Sequence, residues 1–119
     1  MLPLGFLDIA ATDPARSAAF YEGVLGFETS AGVHTRFRAG NVEGGFPDLE
    51  RGFAPVVGVL EAGDIVPYFE PENLDAALEK VVELGGKVLL EPVESAPGHC
   101  VAIVADPSGA KIALTRIER

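Results

Sequence analysis

The sequence predicts an α+β fold of two βαβββ modules, whose strands form a cleft-enclosing mixed sheet with the helices on its outer face. Three observations carry this. Two capped segments of helical periodicity, near 14–25 and 74–84, each end at glycine. Each follows a short run of alternating apolar residues and precedes more strand-like runs. Overlaid with an offset of 60, Phe6 falls on Val66, Asp13 on Asn73, Tyr21 on Val81 and Gly26 on Gly86, a match of pattern rather than of residues. The chain of 119 residues is almost twice that offset and fits one domain, with module one at about 1–47, a crossover at about 48–63 and module two at about 64–119.

Taken in order, Phe6 to Ala11 reads as the first strand. The first helix runs from about Pro14 to Leu25: Asp13 is its N-cap, proline takes the favoured first position, and Gly26 stops it. Val33 to Arg38 and Val42 to Phe46 follow as strands. Residues 47–63 give the weakest pattern and read as a crossover with a short strand at Val56 to Leu60. Ile65 to Glu70 opens module two. The second helix, from about Leu74 to Leu84, is capped by Asn73, carries Leu74, Ala77, Leu78 and Val81 on one face, and ends at Gly85 and Gly86. Lys87 to Leu90, Cys100 to Ala105 and Lys111 to Thr115 are the remaining strands. Asp106-Pro107-Ser108-Gly109 fits a type I turn joining the last two as a hairpin.

Composition narrows function. Eighteen acidic against nine basic residues give a formal net charge of −9, which argues against nucleic acid and against an acidic membrane surface as partners. The single cysteine, Cys100, rules out an internal disulfide and suits a reducing cytoplasm. Met1 to Ala10 is apolar but short, lacks a basic region and carries Asp8, so it reads as a strand rather than a signal peptide. No apolar run approaches the roughly 20 residues that a membrane helix needs. A soluble cytoplasmic protein is expected.

The stretch from Phe6 to Phe27, a capped helix carrying Ala19-Phe20-Tyr21 and ending Val24-Leu25-Gly26-Phe27, resembles the vicinal oxygen chelate superfamily. That superfamily groups glyoxalase I, bleomycin-resistance proteins and extradiol dioxygenases. Asn73-Leu-Asp-Ala-Ala-Leu-Glu-Lys, Leu84-Gly-Gly and Ala105-Asp-Pro-Ser-Gly extend the likeness over nearly the whole chain. The resemblance implies the fold, a homodimer, and a ligand bound in the cleft between modules. Metal-dependent relatives hold one divalent ion with His, Gln or Glu on the first and last strand of each module. Those positions here are Phe6, Val66 and Ala113, with the fourth near Gly44 to Phe46 and Glu43 as the only carboxylate close to it. One ligand cannot hold an ion that needs about three, so no metal or other cofactor is expected.

Strand alternation then assigns faces. With Leu7, Ile9 and Ala11 on the first helix, Phe6, Asp8 and Ala10 face the cleft. Val66, Tyr68 and Glu70 join them from module two, with Lys111, Ala113 and Thr115 from the last strand. Val33, Thr35 and Phe37 form the apolar side of their strand, leaving His34, Arg36 and Arg38 opposite. The expected ligand-binding residues are therefore Phe6, Asp8, Arg36, Arg38, Tyr68, Glu70, Lys111 and Ala113. Each has a plainer reading: Asp8 paired with Arg36 or Arg38, Phe6 and Tyr68 filling the cleft, Glu70 solvated. His99 and Cys100 point to opposite faces of a strand and cannot act together as base and nucleophile.

These readings converge on a metal-free protein that binds a small, partly apolar molecule. The alternative is an enzyme, lyase, isomerase or dioxygenase-like, using Asp8, Glu70 or His99 as acid or base, or an atypical divalent site built from Glu43 and the histidines. A partner-binding module with a collapsed cleft is the third reading.

Overall fold

The computed structural model of the chain describes residues 1–31, 34–50, 56 and 58–119. The elements run β1 (Phe6–Ile9), α1 (Pro14–Leu25), β2 (Glu28–Ser30), β3 (Arg36–Ala39), β4 (Val42–Gly45), β5 (Ile65–Phe69), α2 (Leu74–Glu83), β6 (Lys87–Ala96), β7 (His99–Ala105) and β8 (Lys111–Ile117). All eight strands belong to one sheet in the order β2-β3-β4-β1-β5-β8-β7-β6. Each module repeats one plan: its first strand lies parallel to its last, and the intervening strands fold back antiparallel. The modules join where β1 and β5 run antiparallel, with Phe6 opposite Tyr68 and Asp8 opposite Val66. The predicted α+β class and two-module mixed sheet are therefore the observed ones.

Local chemistry sets both helices. Asp13 accepts the Arg16 amide at 3.2 Å, and Gly26 ends α1 in the left-handed region at φ 71°. Asn73 accepts the Ala76 amide at 2.9 Å, and the chain turns at Gly85 with φ 91°. Each helix covers its own module. Against Ala18 of α1 pack Ile9, Ala11, Phe37 and Phe46, with Tyr21 and Phe27 closing an aromatic stack in which the Phe27 and Phe37 rings lie 5.0 Å apart. Against α2 pack Ala102, Val104 and Leu114 with Leu74 and Leu78. Among the described residues, no helix is long and apolar enough to cross a membrane.

The opposite, concave face is treated unequally. Over module two, described residues of the crossover form a strap: Val56 and Leu60 are buried against Ala10, Val66, Ile103 and Ala113. Backbone bonds tie both ends of the crossover to Ala10 and Ala11, just after β1: Ala11 to Pro47 (3.0 Å), Leu49 to Ala11 (3.0 Å) and Gly63 to Ala10 (3.0 Å).

Several expected boundaries change. β2 was not expected; three residues are too few to show alternation. β6 runs to Ala96 rather than Leu90, because an edge strand tolerates the register shifts that carry Pro92. Val56 to Leu60 forms no strand among its described residues: the Val56 carbonyl accepts both the Val59 and Leu60 amides, which makes a turn. β3 starts at Arg36, and Val33, where that strand was expected to begin, lies outside the described residues.

Two glycines in module one should respond oppositely to alanine. At Gly44 a Cβ would sit 2.1 Å from the Leu7 carbonyl oxygen and 2.2 Å from the Phe37 ring, where backbone cannot yield. Gly44→Ala is expected to destabilise by about 3 kcal/mol or more. At Gly23, inside α1, a Cβ meets nothing within 4 Å. Gly23→Ala should gain about 0.5–1 kcal/mol, and urea denaturation of both variants measures the contrast.

Candidate functional site

On the concave face of module one, the register aligns side chains in two rows. Glu28 lies opposite Arg38, and Arg38 opposite Glu43; Ser30 lies opposite Arg36, and Arg36 opposite Gly45. Gly45 in turn neighbours Asp8 on β1. Above these rows opens a pocket of about 460 Å³, lined by Phe6, Glu28, Thr29, Ser30, Arg36, Phe37, Arg38, Glu43 and Gly44. Arg38 is held by Glu43 at 3.1 Å, an exposed pair. The Arg36 guanidinium carbon stands 5.9 Å from the centre of the Phe6 ring, a cation–π contact at the outer end of the useful range. Among the described residues no carboxylate forms an ion pair with Arg36.

Asp8 sits behind this pocket, at the seam between modules. It is the one charged residue buried among the described residues, 8% exposed. The Tyr68 hydroxyl donates to its Oδ2 at 2.5 Å, and Tyr68 also meets Phe6 edge-on with ring centres 5.4 Å apart. Burial pushes the Asp8 carboxyl up to about 6, against the partial relief of the Tyr68 hydrogen bond and the Arg36 charge. Burial first, and then the Asp8 carboxylate, hold the Tyr68 phenol above its ordinary value. Asp8 and Tyr68 are counterparts at the offset of 60, so the bond joins equivalent positions of the two modules.

The remaining expected site residues do not converge here. Asp8 forms an ion pair with neither Arg36 nor Arg38. Lys111 reaches Asp64 at 2.7 Å, in a half-buried pair at the far side of the seam. Glu70 takes both guanidinium nitrogens of Arg119 at 2.6 and 2.9 Å, with His99 adding positive potential nearby, which holds its carboxyl below the usual range. Ala113 is fully buried beneath the strap, out of reach of a ligand. His34 and His99 are both exposed. Cys100 contacts the Arg116 guanidinium at 3.7 Å.

Sequence reasoning missed the β2 contribution of Glu28, Thr29 and Ser30. The repeat held the signal: β6 begins at Lys87, and the offset of 60 places its counterpart at Phe27, one residue before β2.

The same repeat locates the fourth metal position of the vicinal oxygen chelate pattern. Ala113 pairs with Tyr68, and Gly45 pairs with Asp8 in the equivalent place. The four positions are thus Phe6, Gly45, Val66 and Ala113, none of which carries a donor side chain. Glu43 stands two residues away from Gly45 and is engaged by Arg38. The residues present do not fit the ion, and among the described residues no three His, Cys, Asp or Glu side chains gather to hold one elsewhere.

A family model described as the Glyoxalase/Bleomycin resistance protein/Dioxygenase superfamily matches residues 4–114. Among solved structures, the hypothetical protein BH1468 from Bacillus halodurans C-125 has a TM-score of 0.65 at 20% identity, covering 99% of this chain and 96% of that one. A glyoxalase/bleomycin resistance protein/dioxygenase superfamily member from Vibrio splendidus 12B01 has a TM-score of 0.65 at 17% identity, covering 99% and 100%. A variant of Streptomyces coelicolor methylmalonyl-CoA epimerase in complex with 2-nitronate-propionyl-CoA gives 0.61 at 18%, covering 98% and 97%. At such identities the likeness shows the fold. No curated protein matches the sequence.

Asp8 should leave a signature in stability. Its carboxyl is a weaker acid when folded, about 6, than the ordinary 3.8, so the protonated form favours the native state. That stability is complete below the unfolded value and is lost as pH rises through the folded one, a difference on the order of 3 kcal/mol. Asp8→Asn keeps an acceptor for the Tyr68 hydroxyl without the charge. It is expected to match the parent in acid and to exceed it by roughly 2–3 kcal/mol at neutral pH. Urea denaturation across that range measures the difference, and parallel profiles for the two proteins would contradict it.

Proposed function

From the premise that the chain belongs to the Glyoxalase/Bleomycin resistance protein/Dioxygenase superfamily, we propose that it is a small-molecule-binding protein that works without a metal ion. The ligand is partly apolar and lies on the concave face of module one, against Phe6. The observation that carries this reading is the unequal cleft. Module two's half is packed by Val56 and Leu60, with Val66 and Ala113 at zero exposure, whereas module one's half opens as a pocket of about 460 Å³. Phe6 gives this pocket an apolar wall among charged and hydroxyl-bearing side chains, and apolar surface with placed polar groups is the usual make-up of a ligand site. The absence of donors at Phe6, Gly45, Val66 and Ala113 supports the metal-free part.

A second reading, an isomerase or lyase, is favoured by Asp8: a buried carboxyl pushed up to about 6 can exchange a proton near neutral pH. Of the three expected acid–base residues it is the one beside the pocket, since Glu70 and His99 lie near Arg119. A homodimer is part of the proposal, supported by Phe20, Val24 and Leu25 exposed on α1 at 59%, 62% and 59%. A cytoplasmic setting is supported by the lone free Cys100.

The test is a thermal-shift screen of small carboxylates, amines and aromatic metabolites, combined with native mass spectrometry before and after chelation. Compounds that raise Tm are expected, their effect lost in Phe6→Ala and kept in Glu70→Gln, with mass and Tm unchanged by chelator. A screen without a single stabilising compound would remove the binding reading. One chelator-removable divalent ion per chain would overturn the metal-free part.

A further inference from the structure

We propose that Arg36 anchors the carboxylate of a small acid whose apolar body packs against Phe6, and that Asp8 takes up a proton when the acid binds. The inference rests on the pocket reading above and names its ligand class.

Charge accounting points to Arg36. Arg38 is held by Glu43, Lys111 by Asp64 and Arg119 by Glu70. Arg36 is exposed, lines the pocket, and has no carboxylate partner among the described residues. A guanidinium offers a planar fork of donors that fits a carboxylate, and Ser30, opposite Arg36 in the β2–β3 register, stands ready to add a hydroxyl. Phe6 supplies the apolar wall beside that fork.

Asp8 makes the site proton-linked. Between Arg36 and Asp8 in the sheet lies Gly45, where a Cβ would stand 3.3 Å from Asp8 Oδ1 and 3.6 Å from Phe6 Cζ, so only the uncharged Phe6 ring shares the gap and the Arg36 charge still reaches Asp8. The groups facing Asp8 are Tyr68 from β5, which donates to it, and Arg36 from β3, whose charge favours the ionised form; Gly45 on β4 and Phe6 on β1 carry no charge. An incoming carboxylate spends the Arg36 charge on itself and repels an ionised Asp8. The bound state therefore keeps a proton, drawn from solvent, on Asp8. A carboxyl already held at about 6 takes that proton readily. Affinity should be highest below the free-protein value and fall as pH rises through the higher value of the complex, tenfold for each unit by which the ligand raises it.

The experiment is an amide NMR titration of the full chain with benzoate and with its uncharged isostere benzamide, at about pH 5.5 and about pH 8, where benzoate stays ionised. Benzoate is expected to move the Phe6, Ser30 and Arg36 signals and to bind about tenfold more tightly at the lower pH. Arg36→Gln, at an exposed side chain, should lose about tenfold in benzoate affinity and leave benzamide unchanged. Asp8→Asn, which retains the Tyr68 acceptor, should bind benzoate equally at both pH values. Benzoate and benzamide binding alike, or benzoate affinity independent of pH in the parent, overturns this inference and leaves the pocket reading standing. No perturbation around Phe6 by either compound overturns both.

Discussion

The antiparallel pairing of β1 with β5 is the contact on which the rest of the molecule depends. Each module alone is a four-stranded sheet with one helix-covered face; pairing Phe6 with Tyr68 and Asp8 with Val66 fuses them into one sheet and creates a shared concave face. The seam is symmetric in position but not in chemistry. Where one module places a carboxyl at Asp8, the other places a phenol at Tyr68, and the two meet in a hydrogen bond. A buried carboxylate without a partner would be costly, and the phenol offsets part of that cost while leaving the group a weak acid. Two like residues at these places would leave the seam with two acceptors or two phenols.

The asymmetry at the seam continues outward. Over module two, Val56 and Leu60 of the strap fill the concave face and remove Ala113 and Val66 from solvent. Over module one, Gly44 and Gly45 keep the floor low: Phe37 crosses beneath Gly44 on the helix side, while the Phe6 ring tip and the Asp8 carboxyl both come up against Gly45. The places where metal-dependent relatives carry donors hold Phe6, Gly45, Val66 and Ala113 here. An aromatic ring and a glycine stand at two of these places, and packed apolar side chains at the other two.

Much of the fold was legible because it is written twice. The caps Asp13 and Asn73, the glycines Gly26 and Gly86, and the alternation of β1 and β5 recur at one offset, and repetition makes weak local signals add. The cleft face of β1 and β5 was also legible, since alternation fixes it. What escaped depends on distant contacts. The capture of Lys111 by Asp64 and of Glu70 by Arg119 joins residues 47 and 49 positions apart, and nothing in the local pattern encodes such pairs. The burial of Ala113 follows from where the strap lies, which the irregular crossover sequence does not reveal. Asp8 reads as facing the cleft, with an arginine as its plainer partner, because charge invites an ion pair and a phenol 60 residues and four strands later in the sequence gives no such hint.

Most directly, the Asp8 side-chain carboxyl can be followed by ¹³C NMR as pH is varied in the free protein. A midpoint of about 6, well above the ordinary 3.8, is expected for a carboxyl buried at the seam and bonded to Tyr68. A midpoint at or below 3.8 would mean a solvated or fully ion-paired carboxylate, and would contradict the seam as described.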